Sequence, residues 1–343
     1  MFKKDLLKKI IWARIPFIIA FPAIVAFLFV FQYLFVLAKQ KFAVEPVQKP
    51  LELSRSSGEY SNAHKHKLPT GQLVYPILFN DLSEESAELA PLKSSAEKIC
   101  AENYTKNLTD ASVYYFDFAT LDWFGINTEK QFIPGSLMKI ATGIALLKRS
   151  ETQPEILQKR LVFTEADNLH VAQTLTHETL QIGATYTVTD LLERMLSHSD
   201  NHATFLLNKI CGIDALRKTY NDFNVEMPRS ADYKITLHQY VRFFKALFYA
   251  TYLSQANSSK VLEYLSHSSF KNGMEGKLKD DSGLIMSHKF GERDYNGIYE
   301  LHDVGIVYKN ESPYLLGIMA KGKNRPELEM FIGAVAEAIA KGY

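Results

Sequence analysis

The stretch from Ser136 to Lys148 constrains the fold of this chain more than any other. It follows Pro134-Gly135, a pair that interrupts regular structure, and carries Leu137, Ile140, Ala141, Ile144, Ala145, Leu146 and Leu147. At 3.6 residues per turn those side chains cover nearly the whole circumference, so the spacing predicts a helix buried at the centre of the protein. Such a helix is stable only where other layers wrap it. Lys139 defies that environment, because a buried ammonium needs a reason to be there. Ser136 lies three residues earlier, on the same face and about one turn away. In that geometry a lysine amine can take the serine proton and make the alcohol a nucleophile. The helix N-terminus adds N–H groups and a dipole that favour the negative charge of attack. Taken alone, Ser136 also reads as a plain N-cap, and S-x-x-K arises often by chance.

The length of 343 residues allows one large domain or two small ones. The net charge of +1 hides an asymmetry. Residues 1–41 carry seven basic residues (Lys3, Lys4, Lys8, Lys9, Arg14, Lys39, Lys41) against Asp5, a net +6, so the other 302 residues carry −5. A mildly acidic body without a basic stripe argues against nucleic-acid binding. Residues 1–14 read as a basic cytoplasmic tail. Residues 15–38 hold no charge and are rich in Phe, Ile, Val and Leu, enough to span a ~30 Å hydrocarbon core. The run exceeds the apolar core of about 7–15 residues in a cleaved signal peptide, and lysines follow it, so it reads as a retained transmembrane anchor. Five basic residues before the span and two after it put the N-terminus in the cytoplasm and the rest of the chain outside. Residues 39–72 read as a flexible linker with prolines, glycines, His64 and His66 and no hydrophobic period.

Compact structure is expected over residues 73–343. A helix is predicted over 88–106 and a hairpin over 112–118 and 121–127. Thr187 and Asp190 form a capping signal for a helix that leads into Ser199-Asp200-Asn201. Helices over 203–211, 214–223 and 237–252 follow, then strands over 286–290, 299–308 and 314–321 and a closing helix over 326–339. The expected class is α+β: an antiparallel sheet built from both chain ends, with flanking helices and an inserted all-helical subdomain. An oxidising compartment permits a disulfide between Cys100 and Cys211, but two buried apolar thiols is the preferred reading. His198 and His202 have helical spacing but no accompanying metalloprotease glutamate, so no metal and no other cofactor is expected. His302-Asp303 is expected to precede a strand and to cap or pack, because the lysine already supplies the base that a Ser-His-Asp triad needs.

Ser136-Leu137-Met138-Lys139, Ser199-Asp200-Asn201 and Lys289-Phe290-Gly291 occur in an order, and within surroundings, that resemble the class A β-lactamase and penicillin-binding-protein superfamily. The resemblance covers about residues 73–341. It implies a serine hydrolase in which Ser136 is acylated, Lys139 activates it and Ser199 relays a proton to the leaving group. Asn201 would hold a substrate carbonyl, Lys289 would attract a substrate carboxylate, and Gly291 would let substrate lie against the strand. The N–H groups of Ser136 and Glu292 would form the oxyanion hole. The implied partners are a β-lactam or a cell-wall peptide, and the membrane through residues 15–38.

Three departures stand out. No Glu-x-x-Leu-Asn stretch, which positions the deacylating water in that family, appears in Asn224–Ser230, and Glu226 is the only nearby acid of that type. Deacylation is therefore expected to be slow. Phe290 replaces a Thr or Ser that would bond a substrate carboxylate, and a phenyl ring cannot. Glu292 sets a carboxylate beside the presumed oxyanion hole. Phe290 and the missing loop favour an alternative, a non-catalytic wall-binding or scaffold module; the intact Ser136, Lys139, Ser199 and Asn201 oppose it.

Overall fold

In β1 (Leu108–Asp117), Tyr114 and Phe116 point to one side of a sheet while Val113 and Tyr115 point to the other. The two-residue period of a strand thus feeds two separate cores. The sheet has five antiparallel strands in the order β2-β1-β9-β8-β7: β2 is Trp123–Ile126, β7 Ile285–Tyr295, β8 Ile298–Lys309 and β9 Ser312–Gly322. Both chain ends supply it, as the sequence predicts. Short pairs of β3 (Gln131–Phe132) with β6 (Ile235–Thr236), and of β4 (Arg160–Val162) with β5 (Thr185–Thr187), lie outside it.

This computed structural model describes residues 84–104, 107–168, 175, 178–278, 284–309 and 312–342. The expected cytoplasmic tail, anchor over 15–38 and linker over 39–72 lie outside the described residues. Among the described residues no helix is long and apolar enough to cross a membrane.

The helices are α1 (Ala90–Tyr104), α2 (Lys139–Ser150), α3 (Val188–Ser197), α4 (Asn201–Cys211), α5 (Ile213–Asp222), α6 (Leu237–Phe248), α7 (Gln255–Ser266), α8 (Gly273–Leu278) and α9 (Arg325–Gly342). On one face of the sheet α1 and α9 close a core around Phe331, Val335 and Ile339. On the other face α6 covers β1, β8 and β9, and α2 is sunk among α3, α4 and α5. Ile140, Ala141, Leu146 and Leu147 are wholly enclosed, as expected of a helix that is apolar all round. Cys100 and Cys211 belong to different cores, both free and buried, and burial pushes each thiol up to about 11.

Local chemistry sets the helix starts. Thr187 accepts from the Asp190 amide at 3.1 Å while Asp190 accepts from the Thr187 amide at 2.9 Å, the reciprocal cap predicted for α3. Several elements differ from expectation, among them α8 and the short β3–β6 and β4–β5 pairs, which the sequence does not predict. The 237–252 helix stops at Phe248, where Ala250 turns at φ +49, and α7 follows where none was predicted. His302 and Asp303 lie inside β8, not ahead of it. They are buried, and each is hydrogen-bonded, which makes a strand interior tolerable for them.

Candidate active site

The serine stands on a turn that is pinned from three sides. Ile133 donates its amide to Glu300 Oε2 at 2.7 Å, and its carbonyl accepts from His302 Nε2 at 3.0 Å, so β8 holds both polar groups of one residue. Burial pushes His302 down to about 4; the ring is neutral and its Nε2–H is the donor. Gly135 then takes φ +53, a conformation open to glycine at little cost. Residues Gly135–Met138 form a 3-10 turn, and α2 begins only at Lys139. Tyr240, wholly buried on α6, donates its hydroxyl to the Leu137 carbonyl at 3.0 Å.

The edge strand β7 lies directly against this turn. A Cβ on Gly291 would overlap the Pro134 carbonyl oxygen and come within 2.9 Å of the Leu137 nitrogen. A Cβ on Gly135 would come within 3.0 Å of the Glu292 nitrogen. Two glycines, one on each side, are what let backbone approach backbone here. The Glu292 amide therefore sits beside the serine turn.

Lys139 is buried, and burial depresses its amine to about 7, with the Asp200 carboxylate opposing the shift. Its Nζ donates to the Ser199 carbonyl, to Ser199 Oγ at 3.1 Å and to Asn201 Oδ1 at 2.6 Å. None of its bonds goes to the Ser136 hydroxyl. Ser199 reaches the amine by taking φ +57 between α3 and α4, a left-handed backbone that a serine seldom adopts. Asp200 N-caps α4, accepting from the amides of His202 at 2.8 Å and Ala203 at 3.0 Å.

Ser136, Lys139, Asn201 and Glu292 line one cleft of about 450 Å³. Ser199 lies just behind Lys139, buried. Lys289 does not line the cleft: it is 1% exposed, donates to the Phe290 carbonyl at 3.1 Å and lies 4.5 Å over the Phe290 ring. Burial first, and repulsion from Lys139 second, hold its amine well below the ordinary lysine range. Phe290 stacks on Phe270 at 4.5 Å in the core beneath α9, so it does not narrow the cleft. Glu292 pairs with Arg325 Nε at 2.8 Å. Glu226 is exposed and off the cleft, while Met227 and Pro228 of the same segment line it. His198 meets Ser269 Oγ at 2.5 Å and His202 packs on Phe163; among the described residues no group of side chains could hold a metal ion.

Sequence reasoning missed the Ile133 clamp, the Tyr240 bond, the Arg325 partner and an apolar wall of Ile213, Leu216, Tyr220 and Met227. Only the wall had a readable signal, since Ile213, Leu216 and Tyr220 share one helical face.

Residues 91–343 match the beta-lactamase enzyme family. Among solved structures, a mutant of PBP-A determined as its acyl-enzyme complex with penicillin G has 18% identity and a TM-score of 0.62, over 73% of this chain and 96% of that one. The β-lactamase from Sphaerobacter thermophilus has 20% identity and a TM-score of 0.63, over 74% and 97%. The class A β-lactamase from Mycobacterium abscessus has 17% identity and a TM-score of 0.62, over 72% and 98%. At such identities these likenesses establish the fold alone. No curated protein in the comparison matches the chain. The family match spans roughly three-quarters of the sequence, and with it the chain belongs to the beta-lactamase enzyme family.

Proposed function

We propose that the chain is a serine hydrolase that acylates readily and deacylates slowly. The observation that carries this reading is Lys139: buried, depressed to about 7 and bonded to Ser199 and Asn201 in the cleft that holds Ser136. A neutral lysine near pH 7 is a competent general base. Ser136 Oγ attacks the substrate carbonyl and its proton passes to Lys139 Nζ. The amide groups of Ser136 and Glu292 receive the oxyanion. Asn201, whose Oδ1 takes the lysine bond, can present its NH2 end to a substrate carbonyl. Ser199 carries the proton from Lys139 to the leaving group, which departs as an alcohol or amine and leaves the acyl-enzyme.

Hydrolysis of that ester needs an activated water. Among the described residues lining the cleft, Glu292 is the one carboxylate, and Arg325 holds it. With no other carboxylate among the described residues of the cleft lining to deprotonate a water, the acyl-enzyme accumulates. The hydrophobic span of residues 15–38 and the basic residues before it support a domain tethered outside the membrane, where cell-wall peptides and β-lactams are met.

The test is a burst experiment with p-nitrophenyl acetate. One equivalent of nitrophenol per chain, released fast and followed by a slow steady rate, is expected. Rapid linear turnover would refute the slow second step, and no release above background would refute the enzyme.

A further inference from the structure

We infer that this cleft takes an uncharged ester or amide with an apolar acyl group, and discriminates against substrates that carry a carboxylate on either side of the scissile bond. The inference rests on the serine-hydrolase reading above and names its substrate class.

A carboxylate-bearing substrate needs a cation where it docks. Among the described residues Lys139 is the only basic side chain that lines the cleft, and Lys289, Arg293 and Arg325 are sealed or engaged. Lys289 is 1% exposed and turned onto the Phe290 carbonyl and ring, forms no salt bridge among the described residues and has no place in the cleft wall. Phe290 offers no hydroxyl and is stacked on Phe270 in the core. The neighbouring strand β8 supplies Glu300 and His302, an acid and a neutral ring, and both are spent on Ile133. Arg325 holds Glu292 on one side and Glu329 at 2.6 Å on the other. Lys139 Nζ already lies against three protein acceptors, the Ser199 carbonyl, Ser199 Oγ and Asn201 Oδ1. Apart from Lys139, the charged group in the cleft wall is Glu292, already paired with Arg325, so the wall offers an anion no uncommitted cation.

Part of the cleft wall is apolar. Ile213, Leu216 and Tyr220 of α5 face it together with Met227. A hydrocarbon acyl chain laid there leaves water at about 25 cal/mol per Å² of buried surface, and a charged one forfeits that gain. The reaction balances without a cofactor. The Ser136 oxygen forms a new C–O bond to the acyl carbon while the bond to the leaving oxygen or nitrogen breaks. The serine proton ends on that departing atom, giving acyl-enzyme plus a neutral alcohol or amine.

Two matched pairs test this on the full chain in detergent, with the concentration of reactive serine set by fluorophosphonate titration. Benzylpenicillin and its methyl ester differ only in the carboxylate on the leaving side. p-Nitrophenyl hydrogen adipate and p-nitrophenyl hexanoate differ only at the far end of the acyl chain. Acylation is followed by intact mass or by nitrophenol release, with background subtracted. The neutral member of each reacting pair is expected to acylate at least tenfold faster. In Glu292→Gln, which removes the carboxylate and releases Arg325, the gap is expected to narrow at least threefold. Equal rates, or a faster acid, would overturn the inference. If neither penicillin reacts, the nitrophenyl pair decides alone. A chain that fluorophosphonate labels but that does not discriminate retains its serine chemistry and loses this specificity. A chain that neither fluorophosphonate nor any ester modifies loses the serine-hydrolase reading, and this inference falls with it.

Discussion

Replacing Asp200 by Asn isolates the electrostatics of the proposed base. Asp200 is 1% exposed, and its carboxylate is the charge that opposes the burial of the Lys139 ammonium. Asn fits the same space and caps a helix about as well as Asp, so α4 keeps its N-terminus and stability changes by a few tenths of a kcal/mol. The lysine loses its nearest opposing influence. An opposite charge close by is worth about 1 unit or more, or about 1.4 kcal/mol, so the amine should fall from about 7 to about 6. Only the neutral amine can accept the Ser136 proton. Acylation in the parent therefore rises with pH up to about 7 and then levels; in Asp200→Asn the rising limb moves about one unit lower. At pH 5.5 the variant should react roughly tenfold faster, and above pH 8 slightly slower because its base is weaker. The assay is the second-order rate of fluorophosphonate labelling between pH 5 and 9, read by intact mass, with thermal melts run in parallel. A limb that stays near 7, or moves upward, in a variant that melts normally would refute the assignment of Lys139 as base.

Gly291→Ala should slow Ser136 labelling by about 10²-fold, the loss seen when one oxyanion donor is removed, because the new methyl overlaps the Pro134 carbonyl and pushes β7 off the turn; stability should fall by about 1–3 kcal/mol in urea titrations. Tyr240→Phe removes the bond to the Leu137 carbonyl and should cost about 1–2 kcal/mol, with labelling slowed more than stability alone explains. His288, buried on β7 between Asp303 at 2.8 Å and Glu275 at 3.3 Å, is raised from 6.5 to about 9 by those two carboxylates against the opposing effect of burial. Its contribution is fully present below pH 6.5 and fades as pH rises through 9, so the urea midpoint should drop over that window by the equivalent of about 3 kcal/mol. His288→Gln should flatten that dependence.

The sequence reveals what periodicity and local bonding control. The all-round apolar helix after Ser136 could only be central, and Thr187 with Asp190 could only be a cap, because each is decided within a turn or two of chain. The sheet from both chain ends follows from strand patterns alone. Depth within a layer is another matter. Strand alternation starts Lys289 and Phe290 toward opposite faces, but only tertiary packing fixes that the ring enters a core on Phe270 and that the amine folds back over the ring and is sealed. Helix α7 was invisible because Gln255-Ala256-Asn257-Ser258-Ser259 carries little apolar signal; the cap of Ser254 on Asn257 and tertiary contacts around Val261 and Leu265 make it. A polar pair rarely enters a buried strand, and the group that satisfies His302, the Ile133 carbonyl, lies 169 residues away.

The central claim is a reactive Ser136 served by Lys139. Treat the full-length chain with a fluorophosphonate at pH 8 and map the modified peptide by mass. The account predicts one adduct per chain, on Ser136, absent in Ser136→Ala and slowed by about 10²–10⁴ in Lys139→Met. An unmodified Ser136 in folded protein, or labelling unchanged by loss of Lys139, would contradict it.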